Sequence, residues 1–334
     1  MAIFKSHLKI SRPFCYFCPK PLPPSPAMLY NLVYALVLLT RRFYFRHFAI
    51  DKKRSDWSAA PKARLFAVNH HNSFLDPILL ATQLPFPTHF LARGDALQGK
   101  IGAFLMKHFY ILPVWREREG RDNLKANYST FDRCQQIWQD QGSVMIFSEG
   151  LCENDWHLKP LPKGTARLVW QAHEQKQVLE IIPTGINYEH FRGPGKQCEI
   201  RVGAPMPYAD LLENTTEARF YREFNARLFS HLQPLVIEAD SPANALTQFA
   251  QTTTSNSLFR GLAKLLHWPY YPYLKNVAAR STANTVHYDA VLFGMLMLSY
   301  PVFLLVIASV LAIIGLPYLW FGALLWPLVA YLGR

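Results

Sequence analysis

Short apolar runs alternate with helically spaced apolar residues through the middle of the chain, and a long uninterrupted apolar run closes it. Arg64 to Val68 has the length of a buried strand, and Asp76-Pro77 soon after places proline in the first turn of a helix. His89 to Ala92 and Tyr110 to Val114 read as further short strands, with a helix over Lys100 to Phe109 between them. Leu124, Tyr128, Phe131 and Trp138 recur at helical spacing, and Ser143 to Phe147 is another apolar run of strand length. Glu180 to Thr184 and Glu199 to Val202 supply two more strands. Phe220, Phe224, Leu228 and Leu232 then mark a closing amphipathic helix. This alternation predicts a layered α/β domain over residues 56–240, with functional side chains on loops at strand ends.

The two ends follow a different pattern. From Ala290 to Gly333 no residue is charged, which is long enough for two helical spans of about 20 residues each. Gly315 and Pro317 interrupt the run near its middle. The prediction is a two-helix transmembrane hairpin over residues 289–334, with spans Ala290 to Ile313 and Tyr318 to Leu332; a re-entrant hairpin is the competing arrangement. Lys264, Lys275 and Arg280 before it and Arg334 after it place both ends on the cytoplasmic side. Met28 to Leu39 is apolar but too short to cross, and it runs into Arg41, Arg42, Arg46, Lys52, Lys53 and Arg54 interleaved with aromatic residues. Residues 28–55 are thus predicted as an interfacial amphipathic helix over anionic lipid, an ordinary core helix with a basic face being the alternative. Residues 1–27, proline-rich and without periodicity, read as a flexible leader. Residues 241–288 read as a linker with an interfacial aromatic segment, Trp268 to Tyr273.

Charge sharpens this picture. With 35 basic and 23 acidic residues in 334, the formal net charge is +12, so anionic partners are favoured; given the apolar ends, that partner is a membrane surface and no nucleic acid is expected. Five scattered cysteines form neither a disulfide framework nor a two-pair zinc site, so no metal and no cofactor is expected. Gly94 to Lys100 fits G-x-x-x-x-G-K, but Ile101 follows where a nucleotide-binding loop needs a hydroxyl.

The chemistry concentrates in Asn69-His70-His71-Asn72-Ser73-Phe74-Leu75-Asp76-Pro77, directly after a strand. A carboxylate that holds one nitrogen of an imidazole leaves the other free to take a proton from an alcohol, typically a factor of about 10² to 10⁴ in rate. A lone His-Asp pair is more often structural than catalytic, so the pair alone leaves the choice open.

His71-Asn72-Ser73-Phe74-Leu75-Asp76 resembles the His-x4-Asp signature of the glycerolipid acyltransferases, which include the lysophosphatidic acid acyltransferases. Further blocks follow in that family's order: Pro113-Val114-Trp115-Arg116, Phe147-Ser148-Glu149-Gly150, Lys163-Gly164 and Ile182-Pro183-Thr184-Gly185. The resemblance implies that His71 is the base and Asp76 its orienting partner. It also implies that Arg116, Glu149, Gly150 and Lys163 bind the acceptor, and that the fold is a strand-helix acyltransferase domain. The donor is then acyl-CoA or acyl carrier protein, and the acceptor is a lyso-lipid, first of all 1-acylglycerol-3-phosphate, in a multi-pass membrane protein whose site faces the cytoplasm.

The sequence departs from that pattern at three places. His70 stands where the family usually has asparagine; counting to Asp76 selects His71, with His70 packing beside it. Ser148 replaces a proline. Leu151-Cys152 stands where threonine and a phosphate-binding arginine are common, which leaves Arg116 and Lys163 as the anion contacts and admits an amino-acid-headed lyso-lipid as acceptor. A non-catalytic membrane scaffold is the reading from another class.

Overall fold

The alternation within Arg64–Val68 shows how the fold is built. Phe66 and Val68 point into one hydrophobic core and Leu65 and Ala67 into another, on opposite faces of one sheet. The structure, a computed structural model, describes residues 27–53, 56–57, 61–115, 121–249, 257–268, 270–283, 285–314 and 326–329. In chain order the elements are α1 (Ala27–Tyr44), β1 (Phe45–Ile50), β2 (Arg64–Val68), α2 (Leu75–Ala81), β3 (Thr88–Arg93), α3 (Gly99–His108), β4 (Ile111–Val114), α4 (Arg121–Gln139) and β5 (Ser143–Phe147). They continue with α5 (Gly164–Glu174), β6 (Glu180–Tyr188), β7 (Lys196–Val202), α6 (Glu217–Leu232), α7 (Pro242–Thr247), α8 (Ser257–Leu266), α9 (Tyr270–Ser281) and α10 (Tyr288–Ile313).

The seven strands form one sheet in the order β1-β7-β6-β2-β5-β3-β4, parallel throughout except for the β6/β7 pair. β2 and β5 are neighbours in register, Val68 opposite Phe147, so the loops that leave their C-terminal ends emerge side by side. The chain leaves β2 for β3 and returns to β5 between them. That reversal opens a crevice at the strand ends, the place where α/β sheets hold their ligands.

The strands and helices predicted for the central domain are present to within a few residues, and α5 is a further helix that the apolar pattern does not mark. Three segments differ. The helix expected over 28–55 ends at Tyr44, and Phe45–Ile50 is an edge strand paired with β7, because Phe45 and Phe48 pack into the sheet's core and not outward. The linker expected over 241–288 contains α7, α8 and α9. In α8, Leu258, Leu262 and Leu265 share one face and are exposed.

The third difference is at the C-terminus. α10 is the one helix among the described residues that is long and apolar enough to cross a membrane. Its first turns do not project outward: Tyr288, Leu292 and Phe293 are buried in the same core as β2 and α2, and Phe293 lies edge-on to Tyr44 of α1. From Leu298 onward the helix exposes Val302, Leu305, Val306, Val310 and Ile313. The second span expected from the sequence lies outside the described residues apart from 326–329, as do residues 1–26.

Candidate active site

The loop after β2 turns sharply at Ser73, whose φ of 47° is in the left-handed region. Cys152 supports that turn, its Sγ accepting the amide N–H of Ser73 at 2.9 Å. The turn brings Asp76, in the first turn of α2, back under the residues that follow the strand.

Asp76 is fully buried and uses both oxygens. Oδ1 accepts the hydroxyl of Tyr188 at 2.6 Å. Oδ2 accepts the backbone N–H of Asn72 at 2.8 Å and lies 2.8 Å from Nδ1 of His70. The carboxylate can only accept here, so Nδ1 of His70 carries the proton and Nε2 is the basic nitrogen. Nε2 has no hydrogen-bond partner among the described residues. The ring stacks on Phe147 at 4.0 Å, and the side chain keeps 18% of its surface open.

His71 is placed differently from the sequence expectation. Asp76 does not hold its ring, which donates instead to the backbone carbonyl of Glu153 and packs near Phe191. The side chain is buried, and desolvation lowers its pKa to about 4 in spite of the nearby Asp76 charge. The physical reason lies in the turn: the left-handed Ser73 folds the loop back so that the residue six positions before Asp76 faces it, and the residue five before points into the core.

The loop after β5 supplies the second half. Glu149 is buried, its Oε2 accepting the N–H of His70 at 2.8 Å and its Oε1 the N–H of Lys159 at 3.0 Å. Burial raises its pKa, and the two backbone donors oppose that rise. The carboxylate thus ties the loop after β2 to the loop after β5. Gly150 occupies the left-handed region at φ +67°, and a Cβ there would meet Pro162 at 3.0 Å. Its N–H is bonded to Phe147 O, so it is not a donor to an oxyanion. Lys163 caps the start of α5 and is exposed, its ammonium in no hydrogen bond or ion pair among the described residues. Arg116 lies outside the described residues.

Tyr188, Lys196, His287 and Asp289 belong to this site and were not singled out from the sequence. Asp289 is the last charge before the apolar run, and that position alone was a signal: an ionisable residue at the edge of a span is costly unless partnered.

Among the described residues no group of histidine, cysteine and carboxylate side chains is arranged to hold a metal. Residues 52–187, from just after β1 to near the end of β6, match the family model described as Acyltransferase. The matched segment, less than half of the chain, is similar to an acyltransferase domain, and its motif order resembles that of the glycerolipid acyltransferases. The crystal structure of the 1-acyl-sn-glycerophosphate acyltransferase from Thermotoga maritima is similar at a TM-score of 0.44 and 13% identity, over 68% of this chain and 83% of that one. No curated protein sequence matches.

Proposed function

We propose that the enzyme transfers a fatty acyl group from a thioester, acyl-CoA or acyl carrier protein, to the free hydroxyl of a lyso-lipid in phospholipid synthesis, with His70 as the base. The observation that carries this is the His70–Asp76 pair: a fully buried carboxylate fixes one ring nitrogen and leaves the other free beside the strand-end crevice. Nε2 of His70 takes the hydroxyl proton as the oxygen attacks the thioester carbonyl. The tetrahedral adduct collapses, the C–S bond breaks, and the imidazolium returns the proton to the departing thiolate. Asp76 stabilises the imidazolium in between. His71, the base implied by motif spacing, is the rival; a buried imidazole with a pKa of about 4 is a weak base at neutral pH.

The acceptor reaches the site from a membrane. α10 is long enough to span it, and the exposed Leu258, Leu262 and Leu265 of α8 with Trp268 suit its interface. A groove of about 610 Å³ between α1, α8, α9 and α10 joins apolar walls such as Leu36, Phe43 and Met297 to the cations Arg260, Lys264 and Lys275. The basic residues ahead of α10 support an orientation of this face toward the cytoplasm. 1-Acylglycerol-3-phosphate is the first acceptor to consider, with Lys163 and Arg116 as phosphate contacts. Cys152, occupied with the Ser73 amide where the family commonly has an arginine, favours a second reading in which the head group is an amino acid.

Purified enzyme in detergent, given a labelled acyl thioester and a panel of lyso-lipids, tests both. Label should move to one lyso-lipid class; free fatty acid as the sole product would exclude acyl transfer to a lipid.

A further inference from the structure

The loop that holds the His70–Asp76 pair is itself held by the start of the apolar helix, a part of the chain far outside the matched domain. Two consecutive loop side chains are gripped there. Asn72 Nδ2 donates to Asp289 Oδ2 at 2.9 Å, and Ser73 Oγ lies 2.6 Å from Nδ1 of His287. Asn72 Oδ1 is buried and has no partner among the described residues, so the bond to Asp289 is what orients that amide.

Asp289 is a built node and not an incidental contact. It is completely buried, and four groups from four parts of the fold converge on it. Oδ1 accepts the hydroxyl of Tyr44 at 2.8 Å and the N–H of Gly193 at 2.6 Å. Oδ2 takes the amide of Asn72 and the ammonium of Lys196, which is also fully buried and balances the charge. A buried carboxylate with every lone pair engaged fixes its neighbours closely, because each broken bond would leave an unsatisfied group in the core.

The path to the dyad is short. Asn72 offers its side chain to Asp289 and its backbone N–H to Asp76 Oδ2, the same oxygen that holds His70. From Asp289 to the ring of His70 there are two residues, each joined by a hydrogen bond under 3 Å. We infer that His287 and Asp289, at the start of α10, are positioning residues of the active site. They hold Asn72 and Ser73 so that Asp76 and His70 stay aligned, and the enzyme's membrane helix thus completes its catalytic loop.

This inference rests on the acyl-transfer reading only for its kinetic readout. The experiment uses full-length enzyme in detergent with labelled acyl thioester and lyso-lipid, and compares His287→Ala, His287→Asn and Asp289→Asn with the wild type. Amide hydrogen exchange is followed in residues 69–76 and, as a reference, in α6. His287 is exposed, so His287→Ala should fold normally; it should lower kcat about 10-fold with the acceptor's KM little changed, and His287→Asn, which keeps an acceptor for Ser73, should recover most of it. Asp289→Asn should lower kcat about 100-fold. In both deficient variants exchange should rise in 69–76 and stay unchanged in α6. Should Asp289→Asn fail to accumulate as folded protein, His287→Ala decides alone.

Normal kcat and unchanged exchange in 69–76 for folded variants would overturn the inference. So would a loss of activity with exchange rising equally in α6, which marks a general loss of stability. If the wild type turns over no thioester, the acyl-transfer reading fails, while the exchange comparison still decides whether α10 holds the loop.

Discussion

Nδ1 of His70 lies 2.8 Å from Oδ2 of Asp76, six positions along the chain, and the hydroxyl of Tyr188 closes the other side of the same carboxylate at 2.6 Å. The ends of β2 and β6 thus meet at one buried charge. Asp76→Asn can keep its oxygen toward Nδ1–H and the Asn72 N–H, but it turns the Oδ1 side into a donor facing the Tyr188 hydroxyl and brings no negative charge to stabilise the imidazolium. We expect kcat to fall on the order of 10³-fold, with the protein still membrane-bound. Tyr188→Phe removes one donor and leaves the ring packed; a loss of about 1 kcal/mol in stability and a milder fall in kcat are expected, measured by denaturation and steady-state kinetics.

Glu149 separates a positioning role from a binding role. It bonds the backbone of His70 and Lys159 and is almost fully enclosed. Glu149→Gln sets an amide NH2 against one of those N–H groups, at a cost of about 1–3 kcal/mol. kcat should fall while the acceptor's KM stays near the wild-type value. A raised KM at unchanged kcat would instead mark Glu149 as an acceptor contact.

Burial lowers the pKa of His71 from the ordinary 6.5 to about 4. Between those values the unfolded chain binds a proton that the native protein does not. Native stability is therefore full above about pH 6.5 and falls as the pH drops toward 4, by roughly 3 kcal/mol at most. His71→Gln should flatten that dependence, as read from unfolding in detergent across the interval. An unchanged pH slope in the variant would contradict the burial of a neutral imidazole.

Much of this was legible in the residues. Leu65 to Val68 and Val144 to Phe147 are continuous apolar runs because both strands are covered on both faces, and such runs can be read without a structure. The blocks around His70, Glu149 and Lys163 were legible as motifs. What sequence spacing could not give was the path of the chain inside the motif. One left-handed residue, Ser73, moves the carboxylate from the expected histidine to its neighbour. β1 was missed because Arg46 and His47 between Phe45 and Phe48 read as the basic face of a helix, and only pairing with distant β7 makes them strand. The partners of Asp289 were hidden for the same reason: Tyr44, Asn72, Gly193 and Lys196 lie between 93 and 245 positions away.

The apolar surface of α10 beyond Leu298 has a plain consequence. Full-length protein should stay with the membrane fraction through high-salt and alkaline washing, because a spanning helix is held by hydrophobic transfer and not by charge. Recovery of most of the protein in the washed supernatant would exclude a span.

The central claim is that His70, and not His71, takes the proton. Turnover of labelled acyl thioester with the accepted lyso-lipid, measured side by side for His70→Ala and His71→Ala, tests it most directly. His70→Ala should be reduced to a residual level, on the order of 10³-fold or more below the wild type, while remaining folded and membrane-bound. His71→Ala should keep substantial kcat and show its loss chiefly in stability. An inactive, folded His71→Ala beside a near-normal His70→Ala would contradict the assignment and return the role to the histidine at the family's spacing.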